Sequence, residues 1–346
     1  MKRVLTLLFV MWLVAGCGLE ATPSPTQTPD LVATQVAVME AAAATLTAEA
    51  PPATATAVSS VVLTAPLVPT LAPTTTPSAM PTTVPPTAVE PTPPTGPALG
   101  LFTVVDVASD DVLNVRARPG ASEPLVGTIP YYGRDVEVHA GGQQVGESWW
   151  VPVRYEGVSG WANSNYLARQ VGNVGDATAA RAAQIIVALR DRDIQELADL
   201  AHPVKGVTFS PYTYVRPLQG APGEADLVFS ATQLRGVWDD PTVYHWGRYD
   251  GSGEPIDLTF QEYYERFVYD VDFARPDIVG FNETIGQGNS INNIAEVYPI
   301  ALTIEYHFEG FDPDYAGMDW RSLRLVLEEY EGIWFLVGIV HDEWTI

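Results

Sequence analysis

Residues 20–99 constrain the fold of this chain more than any other feature. They are dominated by Pro, Thr, Ala and Ser, most densely in PTLAPTTTPSAMPTTVPPTAVEPTPPTGP at 69–97. Such a stretch has too few large apolar side chains to offset the entropy of ordering. Its prolines favour an extended polyproline conformation and a disordered stalk. At ~3.1 Å per residue, the part from Pro51 to Leu99 reaches on the order of 150 Å when fully extended. Packed structure must therefore come mainly from residues 101–346. One segment differs: DLVATQVAVMEAAAATLTAEA, residues 30–50, lacks Pro and Gly. It repeats Val32, Met39 and Leu46 every seven residues, which permits a short helix.

Net charge is −24 over 346 residues, and residues 174–346 carry 29 acids against 11 bases, a net of −18. That surface repels phosphate and argues against nucleic-acid binding. Cys17 is the single cysteine, so no internal disulfide is possible. Its surroundings are MKRVLTLLFVMWLVAGC: a basic start at Lys2 and Arg3, an apolar run from Val4 to Val14, then small residues before the cysteine. LVAGC at 13–17 resembles the bacterial lipobox, with Val14 where leucine is commoner. The resemblance implies a signal peptide over 1–16 and a lipidated Cys17. It would then anchor the chain on the extracytoplasmic side of a membrane, with residues 17–99 as linker.

From 101 to 170 the pattern has period two. Leu113, Val115 and Ala117 alternate with Val112, Asn114 and Arg116, and Val136 and Val138 alternate with charge. RPGASEP and EGVSG supply turns. About five short strands in seventy residues point to a small all-β barrel. The segments LNVRARPG, VGTIPYYG, WWVPVRY and GWANSNYL resemble the bacterial SH3 domain family in content and order. Ala162 stands where that family more often has a branched residue. The resemblance implies binding of cell-wall or peptide ligands rather than catalysis. The aromatic candidates for a groove are Tyr131, Tyr132, Trp150 and Tyr166. Trp149 and Trp150 are strand neighbours and face opposite sides, so one of them belongs to the core, as does Trp161.

After Val174 the period becomes helical. Ala179, Ala182, Ile186 and Leu189 share one face; Asp193 and Glu196 open a second helix; Thr259 and Glu262 form a capping box before a stripe of Phe260, Tyr263, Tyr264 and Phe267. Strands close the chain. IALTIEYHFE alternates, and SLRLVLEEYEGIWFLVGIVHDEWTI reads as a hairpin turning at Glu331–Gly332. Helices followed by strands give an α+β region over 174–346 with a curved antiparallel sheet. Element order and ALRDRDIQELADLAHP resemble the nuclear-transport-factor-2-like superfold, including SnoaL-like domains. That resemblance implies a cone around a pocket and leaves enzyme, ligand binder and assembly module all open.

Named motifs fail. In HWGRYDGSGEP, residues 245–255, Ser252 is flanked by Gly251 and Gly253, but a serine elbow needs glycine at the positions held by Asp250 and Glu254. A calcium loop starting at Asp250 would put Pro255 and Gln261 at obligatory positions. We therefore expect Pro255 to block regular pairing and the stretch to turn directly into the helix at Thr259. His341 and Asp342 point to opposite faces of one strand. The pocket candidates are His245, Tyr249, Asp250, Glu254, Glu305, His307 and His341. Catalytic residues, metal and cofactor are expected to be none. The sequence reads as a multidomain, lipid-anchored envelope protein with a non-catalytic binding or adaptor role. The alternatives are a SnoaL-like pocket enzyme and a structural surface protein whose C-terminal region binds a protein.

Overall fold

The period-two segments build a barrel in the computed structural model, which describes residues 95–216 and 225–345. The signal segment, Cys17, the stalk and the helix expected over 30–50 lie outside the described residues. The barrel strands are β1 (Ala98–Val104), β2 (Val112–Arg116), β3 (Leu125–Pro130), β4 (Val136–His139), β5 (Gln143–Val145), β6 (Ser148–Tyr155), β7 (Val158–Asn163) and β8 (Leu167–Gly172). Leu113, Val115, Ile129, Val136, Val138, Val153 and Ala162 form its core. Those are the inward positions of the alternation. Trp150 is buried and Trp149 half exposed, on opposite faces of the strand. Trp161 is only half-buried, contrary to expectation: it sits on β7 beside the wholly buried Ala162, so its side chain takes the outer face.

The helical segments follow as α1 (Asp176–Asp191) and α2 (Ile194–Leu200). Arg192 ends α1 in a left-handed conformation, φ 56°, and the Asp193 side chain then caps α2 by accepting from the Glu196 N–H. Next come β9 (Val207–Ser210), β10 (Leu227–Phe229), α3 (Ala231–Val237), β11 (Tyr244–Arg248), β12 (Pro255–Leu258) and α4 (Phe260–Phe267). The chain closes with β13 (Ile278–Phe281), α5 (Ile294–Val297), β14 (Leu302–Phe308), β15 (Arg321–Tyr330) and β16 (Ile333–Glu343). The capping box before α4 is complete, with both the Thr259 and Glu262 side chains engaged. Its four aromatic residues are all buried.

β12 corrects the reading of Pro255. The proline pairs with Arg248 at the very start of a strand, where its missing N–H costs no ladder bond, and β11 and β12 form a separate two-stranded sheet. Trp246 of that hairpin lies in the core, stacked on Tyr263 at 3.7 Å.

The sheet of the C-terminal region is mixed rather than wholly antiparallel. β13–β14–β15–β16 pair antiparallel, but β9 runs parallel to β16, and β13 runs parallel to β8. That last pairing joins the barrel to the α+β region in one 14-stranded sheet. Side chains support the junction. Asp106, at φ 56°, receives Arg190 from α1 and Arg275 at 2.6 Å, while Arg134 reaches the Val174 carbonyl and Asp176.

Both faces of β14–β16 are covered. One carries Ile304, Tyr306, Leu323, Leu325 and Ile339 against the helices and the aromatic cluster of Phe209, Phe229, Trp246, Phe260 and Phe267. The other carries Val326, Val337 and Val340 against Val215 and Ile294. The interior of the expected cone is thus filled by side chains. At about 25 cal/mol per Å² of apolar surface, such aromatic burial dominates the stability of the region.

Candidate functional site

The aromatic residues of the barrel do not share one open groove. Tyr131 and Tyr132 meet edge to face at 4.9 Å and line a small space against Ala179, Ala183 and Ile186 of α1. Burial pushes the Tyr131 hydroxyl pKa up, with Tyr132 adding to it. Tyr166 packs on the barrel core, and Trp150 is buried, although it is not part of the apolar cluster to which its neighbours Val151 and Val153 belong. The exposed aromatic is instead Trp149, at 48%. Its ring lies over Gly142, where an added Cβ would sit 2.4 Å from the indole nitrogen, and the Ser164 hydroxyl donates to its carbonyl at 3.0 Å. Asn163, Ser164 and Asn165 border this surface through the short turn that Asn163 caps.

The candidates of the α+β region fall in three places. His245 is on the exposed hairpin, 2.6 Å from Asp257. Tyr249, Asp250 and Glu254 belong to the β11–β12 turn: the Asp250 N–H donates to the Tyr212 hydroxyl at 3.2 Å, and Tyr249 packs on Phe267.

His341 faces the helices. It lies at 3.3 Å from Asp270, edge to face with Phe267, and near Glu343. Asp270, His341 and Glu343 could together offer three metal-ligating atoms. Arg321 already bridges Asp270 at 3.0 Å and Glu343 at 3.2 Å, and Arg266 also pairs with Glu343. Two guanidinium groups therefore balance the two carboxylates. Burial works to raise the Asp270 carboxyl pKa, but His341 and Arg321 outweigh it and hold it low. The His341 ring is fully enclosed, and among the described residues its Nδ1 has no hydrogen-bond partner. An acid–base residue needs a nitrogen facing substrate, and here the ring faces packed side chains.

Glu305 and His307 take the opposite face, so they do not join His341. They surround Arg324, which the sequence reading did not select. All five guanidinium N–H groups are used: two go to Glu305 at 3.0 and 3.2 Å, and one each to Asp342 at 2.7 Å, Thr213 at 2.8 Å and the Gly286 carbonyl at 2.7 Å. Glu305 also accepts from Ser322 at 2.6 Å and from the backbone of Ile285 and Gly286 at 3.0 and 2.8 Å. Burial would raise its pKa, but Arg324, Ser322 and Ile285 prevail, and its carboxyl lies below the usual range. For Asp342 burial prevails over Arg324 and the pKa rises. His307 is 2.8 Å from Ser322, and burial lowers its pKa despite Glu305. A sequence signal for this network existed: Arg324 interrupts an apolar strand pattern, and a buried arginine requires carboxylate partners.

The profile of the bacterial SH3 domain matches residues 111–168, which are the core of the barrel described above. That domain is typical of cell-wall-binding bacterial proteins. No curated protein and no solved structure matches the chain.

Proposed function

We propose that this chain is a cell-envelope binding protein, lipidated at Cys17, whose barrel presents a cell-wall or peptide ligand surface around Trp149. The single observation that carries this reading is the bacterial SH3 match over 111–168. Trp149 supports it as an amphipathic ring, half exposed, whose carbonyl accepts from the Ser164 hydroxyl. The lipobox-like LVAGC and the extended composition of residues 20–99 favour an anchor and spacer holding the barrel away from a membrane.

The nuclear-transport-factor-2-like resemblance of residues 174–346 belongs to the same proposal as an adaptor region. The aromatic filling of its interior and the enclosed His341 favour that role over a pocket enzyme.

The test is co-sedimentation of the full chain with purified cell-wall fragments. Retention of the wild type with loss in Trp149→Ala is expected. Absence of retention overturns the wall-binding reading, and unchanged retention of Trp149→Ala moves the contact elsewhere on the chain. For the anchor, Cys17→Ser is expected to shift the protein from the membrane fraction to the soluble one.

A further inference from the structure

Between the outer face of the sheet and the segment 282–295 lies a cleft of about 560 Å³. That volume falls in the range of small-ligand sites, ~300–1,000 Å³. Thr213, Asn282, Thr284, Gln287, Thr303 and Asp342 are among its lining residues, and no lysine or arginine is among them.

The wall is preformed. Glu305 holds the Ile285 and Gly286 amides, and the Asn293 side chain accepts from the Val215 N–H at 2.8 Å and donates to its carbonyl at 2.9 Å. Gly286 allows the approach: a Cβ there would lie 2.5 Å from the Ser322 hydroxyl and 2.6 Å from the Trp320 ring.

Asp342 decides what the cleft takes. It is 3% exposed and lines the cleft. Its Oδ2 accepts from Arg324, and among the described residues no group donates to Oδ1. Arg324 has no N–H left to give, and Glu305 is fully engaged. One arginine therefore faces two carboxylates, and Asp342, which lines the cleft, keeps one acceptor oxygen without a donor among the described residues. Glu283 at the rim adds further negative charge. A buried charge without a full counter-charge is costly, so a ligand supplying positive charge and N–H donors gains most. A hard metal ion wants six or more oxygen ligands, and Asp342 has one oxygen to spare beside a guanidinium. An ammonium wants three acceptors, which Asp342 and the neighbouring hydroxyl and amide oxygens can supply.

We propose that this cleft binds the primary ammonium group of a small polar ligand, with the open oxygen of Asp342 as its anchor. The site lies on the α+β region and does not depend on Trp149, so its test fails or succeeds separately from that of the barrel.

The test is an NMR titration of the full chain with glycinamide, a primary ammonium with one amide, against N-acetylglycinamide, in which the amine is blocked. Glycinamide is expected to bind and to shift amides of residues 282–295. Its affinity should fall at least tenfold in Asp342→Asn, and N-acetylglycinamide should bind at least tenfold more weakly. Thr284→Arg, at an exposed rim position, should produce the same loss with the buried network intact, and it decides the matter if Asp342→Asn does not fold. No binding of glycinamide, equal binding of the blocked compound, or unchanged affinity in both variants overturns the proposal. Preferential binding of calcium chloride at the same residues overturns it as well.

Discussion

Arg324 and Glu305 form an ion pair that nothing in the local sequence pairs, and both are almost wholly buried. Removing one partner strands the other charge away from water. Arg324→Met is therefore expected to lower folding stability by about 3–5 kcal/mol, read from urea denaturation midpoints. The pair also sets a pH dependence. In the unfolded chain Glu305 titrates near ~4.3, whereas in the folded chain its pKa is lower. As pH falls below about 5 the unfolded state takes up the proton first, so the stability contributed by Glu305 is present above that range and lost towards its folded value. Asp342 has a raised pKa and contributes with the opposite sign. The stability difference between wild type and Glu305→Gln isolates the first effect. It should shrink between pH 5 and pH 3 in guanidinium denaturation series. A constant difference would mean that Glu305 is not held in its charged form.

At the scale of elements, α4 carries the clearest single test. Thr259→Ala removes one half of its capping box and is expected to cost about 1 kcal/mol, measured by thermal or urea unfolding. The same box, its helical stripe, α1, and the β15–β16 hairpin turning through Glu331 (φ 52°) and Gly332 (φ 81°) were all legible in the sequence. Each is specified within ten to twenty residues by period, cap or turn. What was not legible is short or remote. α3 spans seven residues, and too few apolar positions follow its complete Ser230–Gln233 capping box to establish a period. β12 was hidden by Pro255, whose effect depends on its place in the strand. The site was less legible than the fold. His341 and Asp270 are 71 residues apart, and Arg324 and Thr213 are 111 apart. Only the long-range strand order brings such groups together. Strand alternation did separate His341 from Asp342 correctly. It could not reveal that Glu305 and His307 share a face with Asp342, because that depends on the register of β14 on β15 and of β15 on β16. Trp149 and Trp150 show the same limit: alternation says they part, and only the folded barrel says which one is buried.

At the scale of the whole described structure, the barrel and the α+β region share a sheet, and this has a mechanical consequence. β8 and β13 pair over Ile278↔Arg169 to Phe281↔Gly172, so neither edge is free. The Asp106 side chain is buried between Arg190 and Arg275 and fastens the segment just after β1 to α1 and to the loop before β13. A domain tethered by a flexible linker would unfold on its own; one whose edge strand is a ladder partner of its neighbour loses pairing and packing together with it. A single calorimetric transition is therefore expected, with calorimetric and van't Hoff enthalpies in agreement. Asp106→Ala should lower stability by about 2 kcal/mol through the loss of two charge-assisted contacts, without splitting that transition. Amide exchange should then rise together in β1–β8 and β13–β16. Two separate transitions in the wild type would mean that the shared sheet does not couple the regions. With coupling intact, a ligand on the barrel stabilises the distant strands by mass action. A ligand of the proposed Trp149 surface should therefore slow exchange at β15 and β16 in the wild type, and less so where Asp106→Ala has loosened the junction.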